Sequence, residues 1–284
     1  MSNFDDQLRF LIGNALQEDI GDGDYTTLSC IPPDAKGKAI LHIKQDGMLA
    51  GMEIAEKILK FKEPSATFTS YKQDGDRMRD GEEAFMAEAS IYTLLQCERV
   101  LLNCMQRMSG IATLTSQYVE RLRKYKTRVL DTRKTTPNFR LLEKEAVRIG
   151  GGLNHRFGLY DMMLLKDNHI DYAGSIEAAI EKAVAYRQKM KLHVKIEVET
   201  RNIDEVKRVL ATGMVDRIML DNFTPRRLSE ALSLIGERLE TEASGGINLG
   251  NIEDYARTGV DYVSVGALIH QAQSLDLSFK AVRE

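Results

Sequence analysis

The stretch Val129–Ile170, VLDTRKTTPNFRLLEKEAVRIGGGLNHRFGLYDMMLLKDNHI, decides the fold class of the chain. Its opening apolar run, Val129-Leu130, stops at once on Asp131-Thr132-Arg133-Lys134. A short apolar run ending in polar groups is the pattern of a buried parallel strand that delivers side chains to a site. Thr135-Thr136-Pro137 predicts a helix start, because proline is tolerated in the first turn and threonine is a reasonable cap. Leu141, Leu142, Ala146, Val147 and Ile149 place an apolar stripe at helical spacing, and Gly150-Gly151-Gly152 ends that helix. Asn154, His155 and Arg156 follow. A second apolar run, Met162–Leu165, then stops on Lys166-Asp167-Asn168-His169.

Between Asp131 and His169 seven Lys and Arg face five Asp and Glu, so bulk charge decides nothing and placement must. Arg133, Lys134, Arg156 and Lys166 follow strand ends or glycine turns, where a backbone approaches a ligand most easily. Taken one at a time, each is equally what a solvated surface with ordinary ion pairs shows. Taken together, they suit an anion with more than one carboxylate or phosphate. Arginine matches such groups with a planar fork, and lysine with a compact charge.

The flanks extend the pattern. From Thr127 onward apolar runs recur at Val129-Leu130, Met162–Leu165, Val194–Val198, Arg217–Leu220, Leu239–Ala243 and Tyr262–Val265. Helical segments separate them, including Ser175–Tyr186, Ile203–Leu210, Pro225–Ile235 and Leu249–Arg257. Alternating strand and helix predict a parallel sheet, and six such units predict closure toward a barrel. The residues after each run, among them Lys166, Glu199, Asp221-Asn222, Ser244-Gly245-Gly246 and Gly266, then fall on the carboxyl-terminal face, where barrel enzymes place their sites. Glycine turns after the last two strands suit a phosphate held by backbone N–H groups. One helical turn past Gly266 brings His270 to the same phosphate, or leaves it as a core or capping histidine. Glu199 and Asp221 suit a magnesium ion carrying a diphosphate, hydrogen bonds to sugar hydroxyls, or ion pairs with Arg133 or Lys166. Histidine spacing and ligand count do not support zinc.

Upstream, Phe4–Leu16 reads as a helix and Glu18–Asp24 as an acidic, glycine-broken loop without the ligand pattern of a calcium loop. A capping or inter-subunit role suits that loop better. Strand-like alternation over Lys38–Gln45, a helix over Gly51–Phe61, and strands at Thr67–Lys72 and Glu83–Ala89 predict a small α+β domain. Helical periodicity runs from Ile91 to Tyr125, with a break expected near Ser109-Gly110.

The 284 residues give ample core material, and a 43% hydrophobic, 29% charged composition is that of a soluble globular protein. A net charge of −3 argues against general binding to nucleic acid or acidic membranes, so anion affinity must be local. Acidic residues stand where a signal peptide carries basic ones, and no apolar run approaches the roughly 20 residues that span a bilayer. A cytoplasmic protein is expected. Cys30, Cys97 and Cys104 form an odd set without metal-ligand spacing, and Cys97 and Cys104, seven apart on an expected helix, read as small buried hydrophobes.

Three motifs, Asp131–Pro137, Gly150–Arg156 and Lys166–His169, closely resemble the signature of the quinolinate phosphoribosyltransferases. The likeness extends to Glu98–Asn103, Ser109–Thr113, Ile196–Glu199, Leu220–Phe223 and Ser244–Ile247, and so covers nearly the whole chain. It implies an α/β protein with a small N-terminal α+β domain, residues 1–112, and an incomplete TIM-like α/β barrel, residues 113–284, with the first helix able to pack on the barrel. It implies decarboxylating phosphoribosyl transfer from phosphoribosyl diphosphate to quinolinate with Mg2+. It also implies a homodimer in which one subunit's small domain covers the other's barrel mouth.

By the same resemblance, Thr132, Arg133, His155, Arg156 and Lys166 form the quinolinate pocket, joined by Arg99 from the neighbouring subunit. Lys134, Glu199 and Asp221 serve the diphosphate and its magnesium, directly or through water or substrate. Ser244, Gly245, Gly246, Ser264, Val265, Gly266 and His270 fall where the ribose 5-phosphate sits. Asn138 and Phe139 replace the family's more usual glycine and leucine, and Glu145 replaces a common aromatic residue, departures expected to shift the first helix without removing a catalytic group. A phosphoribosyltransferase for another aromatic acid, or a non-catalytic barrel binding a phosphorylated ligand, are the alternatives. The first needs fewer cations, and the second has no use for Lys134, Glu199 and Asp221 together.

Overall fold

The computed structural model describes residues 4–282. In chain order the elements are α1 (Phe4–Ile20), α2 (Tyr25–Cys30), β1 (Lys36–Ile43), β2 (Gly47–Met48), α3 (Met52–Lys62), β3 (Thr67–Ser70), β4 (Arg77–Met78), β5 (Glu83–Ser90) and α4 (Ile91–Leu122). There follow β6 (Arg128–Leu130), α5 (Arg140–Ile149), β7 (Met162–Leu165), α6 (Asp167–Ala173), α7 (Ile176–Lys189), β8 (Lys195–Thr200), α8 (Ile203–Thr212) and β9 (Arg217–Asp221). The chain ends with α9 (Pro225–Ile235), β10 (Glu240–Ser244), α10 (Ile252–Ala256), β11 (Tyr262–Ser264), α11 (Ala267–His270) and β12 (Leu277–Ala281). Two compact units result, and they interleave along the chain. The first takes residues 1–116, 135–151 and 268–284, the second 117–134 and 152–267. The expected cut at 112/113 therefore falls inside α4, and two later segments return to the first unit.

In the first unit an antiparallel sheet runs β12-β1-β5-β3. Buried and less buried positions alternate along β1, so one face carries Ala39, Leu41 and Ile43 inward. Phe85 on β5 stacks on Phe68 at 4.3 Å and meets Phe279 of β12 at 5.7 Å. Against this core lie Ile54, Ile58 and Leu59 of α3 and Leu101, Met105 and Met108 of α4, all buried. The first helix contacts α3 and α5. The acidic loop is shorter than expected: α1 runs to Ile20, and Asp24 caps α2 by accepting the N–H of Thr27 at 3.0 Å.

The break expected at Ser109-Gly110 is absent, and α4 is continuous. Small residues serve there as clearance. A Cβ on Gly110 would lie 1.9 Å from the carbonyl oxygen of Gln273, and the Ser109 hydroxyl exchanges hydrogen bonds with the backbone of Ala50, accepting at 3.0 Å and donating at 3.2 Å. Helix propensity alone makes alanine better than glycine by about 1 kcal/mol. The backbone collision costs about 1 to 3 kcal/mol in the other direction. Gly110→Ala is therefore expected to destabilise the protein in urea titration, and a stabilised variant would show that the contact with Gln273 yields freely.

The expected helix start at Thr135-Thr136-Pro137 also moves, to Arg140. Asn138 adopts φ 62°, a left-handed conformation that glycine takes without strain and that asparagine tolerates better than most residues. This turns the chain before the helix begins. The Thr136 N–H and hydroxyl donate to Glu143 at 2.8 and 2.9 Å, tying the turn to α5.

In the second unit six strands form a wholly parallel sheet ordered β6-β11-β10-β9-β8-β7. That is the cyclic order of a ring opened between β6 and β7, as the six apolar runs predicted, and each run lies within two residues of its strand. Helix α6 was not expected, whereas α11 is the helical turn considered after Gly266. Sharp caps punctuate the repeats: Ser175 accepts from Ala178, Asn202 from Glu205, and Thr224 from Arg227 just ahead of Pro225. Among the described residues no helix is long and apolar enough to cross a membrane.

Candidate active site

Strand alternation in the second unit puts a row of polar side chains on one face. Glu197 and Glu199 on β8, Arg217 and Asp221 on β9, and Glu242 and Ser244 on β10 are each two or four apart, hence same-sided. Their neighbours Ile196, Val198, Ile218, Leu220 and Ala243 are fully buried on the other side. At the carboxyl ends of the strands stand the predicted residues Thr132, Arg133 and Lys134 after β6, Lys166 after β7, Glu199, Asp221 and Ser244 in the last turns of β8, β9 and β10, and Ser264 at the end of β11.

The cationic side is built around the segment after Leu153, which bridges in parallel to Leu130. The buried carboxylate of Asp131 accepts the N–H of His155 at 2.8 Å, and Nδ1 of His155 accepts the N–H of Arg156 at 2.7 Å. Arg156 is only 8% exposed and donates from Nη1 to the carbonyl of Met162 at 3.3 Å. Burial lowers the pKa of its guanidinium, and the like charge of Arg133 adds to the effect. Among the described residues Arg156 pairs with no carboxylate. Arg133 and Lys134 are exposed, and the Lys134 N–H donates to the Thr132 hydroxyl at 3.1 Å.

His155 does not reach outward. Its Nε2 lies 3.0 Å from Glu197 Oε2 and 3.3 Å from Glu242 Oε2, both residues being 0% exposed. Burial opposes a charged ring, and the two carboxylates acting alone overcome it and carry the pKa to about 9. A second proton on Nδ1 would, however, collide with the N–H of Arg156, so the contact geometry decides for a singly protonated ring with its proton on Nε2. Burial and the facing Glu242 push Glu197 up to about 7. Burial works against the Glu242 carboxylate too, but His155, Ser264 and Arg217 together hold it below the usual range.

The anionic side is layered above. Lys166 Nζ pairs with Glu199 Oε2 at 3.2 Å. Burial raises the Glu199 pKa while Lys166 opposes the rise. Asp221 is held at both oxygens, by the Ser244 hydroxyl at 2.6 Å and the Asn222 amide at 2.6 Å. Asn222 has φ 56°, and its N–H donates to the Ser244 carbonyl at 2.8 Å. Gly245, at φ 92°, fits because a Cβ there would lie 2.1 Å from the Asn222 side-chain oxygen. Gly246 follows at φ 64°. Val265 is buried and its N–H donates to Leu130, so Gly266 is the freer of that pair for a ligand.

Two predicted residues lie in the first unit: Arg99, exposed on α4, and His270, exposed at the end of α11. Reasoning from sequence missed Glu197 and Glu242 as parts of the site, and placed Asp131 and Asn222 on its face without giving either a role. A signal was present for the glutamates, since KIEVET and ETEAS alternate charge with apolar residues inside strands otherwise read as buried.

Comparison with known proteins adds the following. Residues 24–109 match the family model described as quinolinate phosphoribosyl transferase, N-terminal domain, and residues 111–280 match its C-terminal domain. The chain is 42% identical over 281 residues to quinolinate phosphoribosyltransferase [decarboxylating] 2b, mitochondrial, from Nicotiana tabacum, covering 94% of this chain and 80% of the relative. It is 42% identical to a probable nicotinate-nucleotide pyrophosphorylase [carboxylating] of Bacillus subtilis, covering 96% and 92%. The solved structure of NadC from Streptococcus pyogenes superposes with a TM-score of 0.91 at 39% identity, covering 100% of both chains.

Proposed function

The chain belongs to the quinolinate phosphoribosyltransferase family, and from that premise we propose how its residues divide the work. The reaction is decarboxylating phosphoribosyl transfer, in which quinolinate and phosphoribosyl diphosphate give nicotinate mononucleotide, diphosphate and carbon dioxide for NAD biosynthesis. The observation that carries the assignment of roles is the buried Arg156 guanidinium, crowded by Arg133, only partly offset by the nearby charges of Glu197 and Asp161, and in no ion pair among the described residues. Such a group needs an external anion to offset its desolvation. Quinolinate, with adjacent carboxylates, supplies two negative charges to this cationic pair.

Arg133, Arg156, Thr132 and Lys166 bind quinolinate, and Arg99 joins them from a second copy in a homodimer whose sites are shared. Lys134 faces the diphosphate. Gly245, Gly246, Ser244, Ser264, Val265 and Gly266, with His270, surround the ribose 5-phosphate, where glycines at positive φ let backbone N–H groups approach it. Positive charge builds on the ribose as diphosphate leaves, much as in glycoside cleavage, and the carboxylates of Glu199 and Asp221 favour it or fix its hydroxyls. The pyridine nitrogen bonds to the anomeric carbon. Its ring is then cationic, so the electron pair of the breaking carboxylate bond settles on the adjacent ring carbon, which takes a proton from solvent. Carbon dioxide leaves without help from an organic cofactor.

Magnesium fits the donor set. Glu199 and Asp221 offer hard oxygens only, each already oriented by a neighbour, which suits an ion held by one or two carboxylates, waters and substrate phosphates. When bound, it supplies charge neutralisation to the leaving diphosphate. The cytoplasm is the proposed compartment, in keeping with three free cysteines.

A product assay with phosphoribosyl diphosphate and magnesium, comparing quinolinate with nicotinate, tests the assignment. Nucleotide with stoichiometric carbon dioxide from quinolinate alone is expected. Turnover of nicotinate without carbon dioxide would move the protein to the single-carboxylate transferases, and no turnover of either would favour a ligand-binding barrel. In a second test, Glu199→Gln is expected to raise the KM for phosphoribosyl diphosphate and alter the magnesium dependence, with the quinolinate KM little changed. An unaltered magnesium profile would remove Glu199 from that role.

A further inference from the structure

Inside the second unit, beneath the strand ends, the side chains of His155, Glu197 and Glu242 converge with all ligand-type atoms within 4.8 Å of one another. By donor type alone the trio resembles a metal site. The imidazole tautomer rules this out, because Nδ1 accepts the N–H of Arg156 and the ring proton therefore sits on Nε2, leaving no lone pair for an ion. Arg217 also offsets part of the charge of the two carboxylates. Arg217 reaches Glu242 at 3.3 Å while Glu240 holds it at 2.9 Å, and its guanidinium lies over the ring of Tyr262 at 4.4 Å.

We propose that Asp131, Glu197 and Glu242 are positioning residues that act through His155 to hold Arg156 beside Arg133, and so set the preference for a substrate with two adjacent carboxylates. The proposal rests on the division of roles given above. None of the three can touch substrate, since each is 0% exposed and below the strand ends or turned inward. Glu197 and Glu242 flank Nε2 and fix the ring from beneath. Asp131 fixes the His155 backbone at 2.8 Å, and its own N–H donates to Leu153 at 3.0 Å. Nδ1 then fixes the peptide N–H from which Arg156 extends. Because Asp131 lies two residues before Arg133, one buried frame carries both guanidiniums. Their mutual repulsion would drive them apart without it, and a displacement of about 1 Å can cost on the order of 100-fold in a positioned site.

The test uses Glu197→Gln and Glu242→Gln in the full chain. A rise of about tenfold or more in the quinolinate KM is expected, with the KM for phosphoribosyl diphosphate within about threefold and the discrimination against nicotinate reduced. A structural defect alone would move both substrates together. Nitrogen-15 NMR of the wild-type protein gives a readout independent of turnover: His155 should carry its proton on Nε2 and none on Nδ1, with and without quinolinate. A proton on Nδ1, an unchanged quinolinate KM in a folded variant, or equal changes for both substrates would overturn the proposal. Should Glu242→Gln fail to fold because Arg217 loses its partner, Glu197→Gln and the NMR signature decide. A wild-type protein inactive on quinolinate but showing the expected tautomer would instead overturn the substrate assignment.

Discussion

Arg156→Ala is expected to lower kcat/KM for quinolinate by about 2 to 4 kcal/mol in transition-state stabilisation, with binding of phosphoribosyl diphosphate nearly intact. The guanidinium is buried, forms one long hydrogen bond to a backbone carbonyl, and has no protein carboxylate to satisfy it. Its removal therefore costs the protein little and the substrate much. One quinolinate carboxylate would be left desolvated without its partner, which is the larger part of the loss. Arg156→Lys should recover only part, because an ammonium cannot reproduce the two-pronged contact. Steady-state kinetics with each substrate varied in turn will show whether the effect is confined to quinolinate. Equal losses for both substrates, or none, would take Arg156 out of the pocket.

Arg107→Ala is expected to destabilise the fold by about 3 to 5 kcal/mol, the usual range when one partner of a buried ion pair is lost. Glu143 on α5 is 0% exposed and takes Nε and Nη2 of Arg107 at 3.1 and 2.9 Å. Arg107 also donates to the carbonyls of Ala272 and Ile269 at 2.7 and 2.8 Å, so one side chain ties α4, α5 and the segment after α11 together. Without it, among the described residues, the Glu143 carboxylate keeps the N–H and hydroxyl of Thr136. A denaturant titration measures the cost, and Arg107→Met combined with Glu143→Leu supplies the control. Removing both charges is often neutral or better, so the double variant should regain most of the stability. A single variant losing less than about 1 kcal/mol would mean that water reaches the carboxylate.

Local rules were sufficient wherever one residue type had one use. The runs at 129–130, 162–165, 194–198, 217–220, 239–243 and 262–265 became strands because each carries apolar residues for a buried face, as Ile196, Val198, Ile218, Leu220 and Ala243 do. Thr224-Pro225 and Asn202 started helices where caps do. Local rules failed where a residue had two uses. Glycine at 110 reads as a helix breaker, but it is the point at which another segment's backbone crosses α4. Threonine and proline at 135–137 read as a helix start, but Asn138 at positive φ turns the chain first. Asparagine stands there in place of the glycine usual in the family, and it tolerates that φ better than most residues.

The sequence by itself determined the α/β class, the six parallel strands and the row of polar residues at their ends, because periodicity and strand termination are properties of short segments. It also carried the family, through ordered motifs spread over nearly all of the chain. Only the tertiary structure decided which of these charged groups meet one another. Lys166 sits on Glu199, His155 turns inward to Glu197 and Glu242, and Asp221 is held by Ser244 and Asn222, whereas Arg156 forms no ion pair among the described residues. The physical reason is that an ion pair depends on distance and desolvation. Both are fixed by residues tens of positions apart in the chain, and neither is written in any one segment of it.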